Sequence, residues 1–360
     1  MADEVVKQEI RATNGTFDFS GIISNLDKEQ DVNQQTKKGN SMRTLVFNVD
    51  TAEGHSHRMQ LRAYQGEFVY YSKTNVDKDG NRKTDIQKVK WGDREKFDTS
   101  KGGKFEGYLP IDRVAFHNGN EKDDSGKEKK RTSTMPTYDA IPEILKEFSV
   151  GDSVRIVGNI QIEDYTLANG NSGTAVRLIP TRIFHSSKEI DFKAEDFTEV
   201  ANFNQKILVD EVEETGTKEI TVTGIIIGNQ RMGRQDFIFR DKAYDDYNQL
   251  LNTMKNFPKY VSIELKGILN NGAAKEEAPQ FVEIKGIKVP LVQSRPAGNS
   301  FVREFLTTAI VTGESAEHID WGDTYTEQNV QEFINNFIRA KDEYGESTAT
   351  EETTADDFTF

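Results

Sequence analysis

Apolar residues recur at every second position in several stretches of this chain and at helical spacing in a few shorter ones. From Thr16 to Asn25, Phe17, Phe19 and Gly21 alternate with polar neighbours and lead into Ile22 and Ile23, which predicts a half-buried strand. A second strand places Leu45, Phe47 and Val49 on one face and Thr44, Val46 and Asn48 on the other. A third, His57 to Tyr64, points Met59, Leu61 and Ala63 inward and Arg58, Gln60, Arg62 and Tyr64 outward. Ile141, Ile144, Leu145 and Phe148 then form the stripe of a short helix, with Pro142 near its first turn and Gly151 past its end. Val154, Ile156, Ile160 and Ile162 alternate on a long strand, Ala168 to Gly173 turns the chain, and Ala175 to Phe184 returns. Three strands, a helix and two strands are the order of a small Greek-key barrel.

The order recurs. Lys206–Val212, Glu219–Ile227 and Arg234–Arg240 alternate as strands; either this barrel is reduced or the first of the three supplies its opening strand. Tyr244, Tyr247, Leu251 and Met254 make a helical stripe ended by Pro258, Val261–Leu269 alternates, Asn270–Gly272 reads as a turn, and Phe281–Val292 as the returning strand. Gly21-Ile22-Ile23 and Gly224-Ile225-Ile226 look like matching openings of the two copies. Val302, Phe305, Leu306 and Ala309 predict one further helix, and Val330, Phe333, Ile334 and Phe337 another, ending at Gly345. Residues 1–14 and the polar stretches Asp27–Ser41 and Asn118–Arg131 read as loops.

These patterns give a mainly β chain with a few helices. Residues 1–190 form the first barrel with an insert at about 66–135, 191–202 a linker, 203–296 the second barrel, 297–345 a helical region and 346–360 a disordered tail.

The formal charge of -14 seems to argue against a nucleic-acid ligand until it is located. Glu304 to Phe360 holds 14 acidic and 2 basic residues, whereas Lys78 to Arg131, inside the insert, holds 15 basic and 11 acidic. The insert opens with Phe68, Val69, Tyr70, Tyr71, Ser72 and Lys73, turns at Asp77–Asn81, and continues through Lys88, Lys90, Trp91 and Arg94, a hairpin that interleaves rings with cations. Rings stack on any base and cations follow the phosphates. With the outward face of strand three, the candidate nucleic-acid residues are Arg43, Arg58, Arg62, Tyr64, Tyr70, Tyr71, Lys73, Lys88, Lys90, Trp91 and Arg94, and in the second barrel Arg231, Arg234 and Arg240. The competing reading makes these an ordinary solvated strand face and a hairpin that packs its rings on the barrel.

Other chemistries lack their residues. No cysteine exists for a disulfide, a thiolate metal site or a nucleophile, and five scattered histidines offer little to a metal. No GxxxxGK[ST] loop is present, and Lys78-Asp79-Gly80 lacks the spacing of a nucleotidyl-transferase motif. No enzymatic activity, cofactor or metal is expected. No run has the length of a membrane helix, and the acidic start Met1-Ala2-Asp3-Glu4 is unlike a signal peptide, so a soluble cytoplasmic protein is expected.

The chain ends Asp356-Asp357-Phe358-Thr359-Phe360. Barrels with basic and aromatic faces, followed by an acidic tail that ends in phenylalanine, resemble the single-stranded DNA-binding proteins of bacteria and their phages. The resemblance implies tandem OB-fold barrels and sequence-independent coating of single-stranded DNA in replication, recombination and repair. It also implies docking of partner enzymes through Asp356, Asp357, Phe358 and Phe360. The large insert and tandem barrels depart from the single-barrel bacterial form, which favours a phage-encoded version in the host cytoplasm and leaves self-association open. A scaffold or virion protein built on similar barrels, or a single-stranded RNA-binding protein, are the alternatives.

Overall fold

The computed structural model describes residues 11–36, 39–78, 80–122, 126–166, 172–215, 219–228, 231–240, 247–273, 281–284, 287–290, 301–310 and 325–336. Its strands are β1 (Gly15–Asn25), β2 (Asn33–Gln35), β3 (Ser41–Ala52), β4 (His55–Tyr64), β5 (Phe68–Val76), β6 (Arg82–Lys90), β7 (Leu109–Pro110), β8 (Arg113–Lys122) and β9 (Glu128–Pro136). Helix α1 (Thr137–Glu147) precedes β10 (Ser153–Thr166), β11 (Ser172–His185), β12 (Val200–Thr215), β13 (Glu219–Gly228) and β14 (Arg231–Arg240). Helix α2 (Tyr247–Lys255) precedes β15 (Ser262–Ala273), β16 (Phe281–Ile284), β17 (Ile287–Pro290) and β18 (Phe301–Ile310), and α3 covers residues 327–336.

Two five-stranded circuits close. In the first, β1 pairs with β3, β3 with β4, β4 in parallel with β11, β11 with β10, and β10 with β1. The second repeats it as β12, β13, β14, parallel β18, β15 and back to β12. In each, a helix lies between the third and fourth strands of the circuit, the Greek-key arrangement of an OB fold. The inward residues of both circuits, from Phe17, Leu45, Met59 and Ile156 to Val222, Phe237, Ile263 and Phe305, belong to one continuous buried cluster.

The barrels meet along β1 and β12, which pair antiparallel from Gly15 opposite Gln205 to Ser20 opposite Val200, with Phe17 directly opposite Phe203. That pair is the centre of a local two-fold. On the far edge of β1, Phe17 faces Gly158 of β10; on the far edge of β12, Phe203 faces Gly267 of β15. The ladder shifts register at both glycines. A Cβ on Gly158 would overlap the Ile179 carbonyl oxygen and lie 2.6 Å from the Phe17 ring; one on Gly267 would overlap the Leu306 carbonyl oxygen and lie 2.8 Å from the Phe203 ring. The repeat is therefore Phe17 with Gly158 against Phe203 with Gly267. Gly21 and Gly224 are not its equivalents, because Gly21 lies on the opening strand of its circuit and Gly224 on the second strand of the other.

The same two-fold organises the flanks of the seam. Gly272 of β15 pairs with His55 of β4, and the Asn271 amide donates to the Ser56 carbonyl. At the related place, the Arg234 N–H donates to Asp164 of β10, and a Cβ on Gly233 would press on the backbone of Ile162 and Glu163. His55 Nδ1 lies 2.9 Å from Glu199, and Thr51 Oγ1 donates to Glu199 at 2.6 Å and lies 3.1 Å from His57 Nε2. Burial, with smaller contributions from the charges of Arg303 and His55, pushes the His57 pKa down to about 3.

Several expectations are corrected. Phe301–Ile310 is the closing strand of the second barrel rather than a helix: its inward positions include Phe305 and Thr307, both buried, and a buried threonine hides the period of two. Asn270–Gly272 continues β15 instead of turning, and the described residues of Phe281–Val292 form the separate hairpin β16–β17. The supposed loop Asn118–Arg131 carries the ends of β8 and β9, paired at Asn120 with Lys130 and at Glu121 with Lys129. Asp27–Ser41 contains β2 and buries Val32. Thr13, read as part of a loose terminus, is buried and hydrogen-bonded to both backbone groups of Ile227 in the second barrel. The stripe of α3 does pack on that barrel, Val330 and Ile334 meeting Leu208, Ile225 and Tyr260; Phe337 and the tail lie outside the described residues.

Gly158→Ala and Gly267→Ala are each expected to cost about 2–4 kcal/mol in urea unfolding, because backbone must move to admit the methyl. Gly92→Ala, with nothing near its Cβ, is expected to stay within about 0.5 kcal/mol. His57 binds its proton in the unfolded chain near pH 6.5 but in the folded one only near 3. Its contribution to stability is therefore full above pH 6.5 and is lost as the pH falls toward 3, by at most about 1.4 kcal/mol per unit. Urea midpoints at pH 7 and 5 are expected to show a smaller drop for His57→Asn than for the native chain.

Candidate nucleic-acid interface

The outward face of β3 and β4 is set by their register: Met42 opposite Tyr64, Thr44 opposite Arg62, Val46 opposite Gln60, Asn48 opposite Arg58. Leu45, Phe47 and Val49 of β3 and His57, Met59, Leu61 and Ala63 of β4 are buried inward, so the period of two turns the alternate set to the other face, where Thr44 is nonetheless covered. Tyr64 is 50% exposed, Arg62 is exposed and Arg58 half-buried.

Arg43 serves a different end. Its Nε donates to Asn33 at 3.0 Å, its Nη1 donates to the Tyr138 carbonyl at 2.9 Å, and its guanidinium lies 4.1 Å from the centre of the Tyr138 ring. It ties β2 and α1 to β3.

Residues 65–67 lead from β4 into the hairpin β5–β6, whose register puts Tyr70 opposite Lys88 and Phe68 opposite Lys90. The turn is closed by Asp77, whose carboxylate accepts from the Asn81 N–H at 2.8 Å, with Gly80 at a φ of +82°. The two faces of the hairpin differ. Tyr71 and Val69 are buried on one, where Tyr71 packs at 4.4 Å on Phe97, Phe97 stacks at 3.9 Å on Phe105, and Tyr108 donates to Asp85. That hydrogen bond holds the Asp85 carboxyl below the usual carboxylate range, and burial pushes the Tyr71 hydroxyl up. Lys73 belongs to this side, donating to the Glu106 carbonyl at 2.9 Å. The opposite face carries Tyr70, 45% exposed, and the exposed Lys88 and Lys90, with Lys88 Nζ 3.8 Å from the centre of the Phe68 ring. None of its ten positions, 68 to 76 and 82 to 90 by twos, is acidic.

Trp91 and Arg94 leave the hairpin. They lie in a 3-10 helix, Trp91–Lys96, where the Trp91 ring meets Tyr138 edge-on at 5.2 Å and Arg94 grips Asp139 of α1 through Nε at 2.8 Å and Nη2 at 3.0 Å. The Asp139 carboxylate holds the Arg94 guanidinium above its ordinary pKa. Trp91 and Arg94 are thus anchors that fix the insert to α1, while Tyr71 belongs to the insert's own packed side.

In the second barrel the candidate arginines face carboxylates. Arg231 Nε lies 3.6 Å from Glu163, and its Nη1 donates to Gln161. Arg234 Nε is 3.2 Å from Asp210. Arg240 is bridged by Glu219 at 3.0 Å and Glu304 at 3.1 Å; burial alone would lower its pKa, and these carboxylates outweigh it. Asp236 on the same outward face accepts from Thr223. Arg231 and Arg234 are seam residues, a role that strand periodicity cannot reveal.

Ile86, 56% exposed, is not among the residues expected from the sequence; pairing the hairpin outward from Asp77–Asn81 places it opposite Ser72 in the outer row next to Tyr70. Asp356, Asp357, Phe358 and Phe360 lie outside the described residues. Among the described residues there is no cluster of metal-ligating side chains and no helix long and apolar enough to cross a membrane.

The fold and this face together define a tandem OB-barrel protein with a cationic and aromatic strand surface on one barrel. The chain belongs to the YorF family, whose model matches residues 14–350. It is similar in structure to the wild-type single-stranded DNA binding protein from Thermus aquaticus, at 10% identity and a TM-score of 0.32, over 76% of this chain and 97% of that one. An internal-deletion mutant of the same Thermus aquaticus protein aligns at 9% identity and a TM-score of 0.33, over 72% and 88%. Likeness at this level does not assign a function. No curated protein matches the chain.

Arg94→Ala is expected to loosen the insert without opening the barrel. Amide exchange of β5 and β6 should accelerate about 10-fold or more while that of β3 and β4 stays native, and Asp139→Asn should give a smaller change in the same direction.

Proposed function

We propose that the chain binds single-stranded nucleic acid, DNA foremost, without sequence preference, along the outer faces of β3–β4 and β5–β6. The observation that carries this reading is the different fate of the cations in the two barrels. Arg231, Arg234 and Arg240 have carboxylate neighbours within the fold, whereas the outer face of β5–β6 presents Lys88 and Lys90 with no acidic residue among its positions. Phosphates supply the missing charge, and Tyr64 and Tyr70 supply stacking surfaces that accept any base. Arg58 and Arg62 line the path between them.

On this reading the first barrel carries the ligand and the second is its scaffold, with domain limits near 190 and 203. The acidic end at Asp356, Asp357, Phe358 and Phe360 is the docking element for replication and recombination enzymes. The tandem barrels and large insert suit a phage-encoded protein working in the host cytoplasm. No catalytic step is assigned to it.

The test is fluorescence anisotropy with labelled oligo-dT and a matched duplex across a salt series. The native chain is expected to prefer the single strand and to lose affinity with a log–log slope of about -0.7 per phosphate contacted. Arg62→Ala with Tyr64→Ala is expected to weaken binding about 10- to 100-fold. Arg234→Ala is expected to change it less than about 2-fold, since that cation already has a partner. Equal affinity for duplex and single strand would overturn the reading, and tighter binding to oligo-U than to oligo-dT would reassign it to RNA.

A further inference from the structure

The hairpin is not alone. Strand β7 pairs with the other edge of β5, Pro110 opposite Tyr71 and Leu109 opposite Ser72, and the Ile111 N–H donates to the Tyr70 carbonyl at 2.8 Å. One outer row therefore reads Lys88, Tyr70, Ile111, and the next Ile86, Ser72, Leu109. Ile86, Ile111 and Leu109 are 56, 52 and 40% exposed, and Val76 toward the turn of the hairpin 62%, so a three-stranded sheet holds four aliphatic side chains and a tyrosine open to solvent on the face that lacks acidic residues. An exposed apolar cluster of this kind marks a binding surface.

We infer that this face is a second base-binding platform, distinct from the barrel face and engaged only by strands long enough to run past it. The inference rests on the proposed single-strand binding. Four features select a nucleic acid over a protein. Lys88 and Lys90 stand two residues apart on edge strand β6, about 7 Å along the strand, of the order of the step between phosphates in an extended single strand. Tyr70 offers a ring beside them, and Ile86 and Ile111 offer flat apolar contact for the faces of bases and sugars. Lysines along β6 oppose the edge-to-edge pairing by which a protein segment would add a strand. The platform also continues the barrel face, since residues 65–67 alone separate Tyr64 on β4 from β5. Its other side is packed on Val69, Tyr71, Phe97 and Phe105, so the face is preformed and binding need not order it.

The test compares oligo-dT of about 8 and about 24 nucleotides, lengths within and beyond the span of one barrel, on the full chain and on Tyr70→Ser/Ile86→Ser/Ile111→Ser. All three side chains are on the outer face, and circular dichroism with thermal melting checks that the sheet survives. Expected is native affinity for the short oligomer within about 2-fold and a loss of about 10- to 50-fold on the long one, with an unchanged salt slope because no cation is removed. Lys88→Ala/Lys90→Ala, by contrast, is expected to flatten the slope on the long oligomer by about 1.4 and to leave the short one alone. Equal loss on both lengths, or none on the long one, would overturn the platform while leaving the barrel face standing. Native affinity for both lengths with loss of self-association in sedimentation would make this a protein contact and overturn it. Failure of the native chain to bind either oligomer would remove the parent reading, and the platform with it.

Discussion

The antiparallel pairing of β1 with β12 is the constraint on which the rest of the structure depends. Each of these strands opens its own barrel and lends its remaining edge to the other, so neither circuit can be completed without deciding where the other barrel sits. Phe17 and Phe203 face each other at the centre, and each fills the space left by a glycine on the next strand, Gly158 or Gly267. Both glycines sit where the ladder slips register, the device by which a sheet bends sharply enough to close. The hydrophobic cluster then runs through both barrels without a break. Thr13, held by Ile227, carries the chain's opening segment across the same seam.

That symmetry of backbone accompanies an asymmetry of surface. Where β4 meets β15, the contact is made by His55, Ser56, Asn271 and Gly272, and at the other end of β4 Arg62 and Tyr64 are exposed. Where β14 meets β10, Arg231 and Arg234 reach Gln161, Glu163 and Asp164, while Arg240 closes on Glu219 and Glu304. An arginine bound by carboxylates must lose those partners before it can serve a phosphate, and a half-exposed ion pair already recovers most of what a phosphate would offer. One half of a duplicated fold thus sets Arg231, Arg234 and Arg240 against carboxylates, at the seam or within its own barrel, and the other keeps Lys88, Lys90, Tyr64 and Tyr70 exposed.

How much of this was legible in the chain depended on whether a residue's environment is set locally. Strands β1, β3, β4, β10 and β11 declare themselves because runs of three or more of their inward positions are apolar, and the β5–β6 hairpin because a turn sequence, Asp77 to Asn81, separates two alternating runs. Strand β18 was misread because Thr307 occupies an inward position while Val302, Phe305, Leu306 and Ala309 happen to fall at helical spacing. The candidate site divides along the same line. Tyr64, Tyr70, Arg62, Lys88 and Lys90 stand where strand alternation puts them; Tyr71, which the same alternation puts on the opposite face, is covered by residues 97–108, and Arg94 is claimed by Asp139, 45 positions away. Long-range ion pairs such as Arg240 with Glu304 leave no periodic trace at all.

The insert shows why a barrel would carry some seventy extra residues between its third strand and its helix. A bare hairpin in water is marginal, and an exposed apolar face would collapse onto whatever apolar surface it could find. Here the competing apolar side is satisfied first: Tyr71, Val69, Phe97, Phe105 and Tyr108 pack together beneath the sheet, Trp91 sits against Tyr138, and Arg94 clamps Asp139. With that side occupied and the base of the hairpin fixed to α1, Tyr70, Ile86 and Ile111 have nowhere to fold back and stay exposed. The residues that look wasted on structure are those that keep the outer face of the insert open.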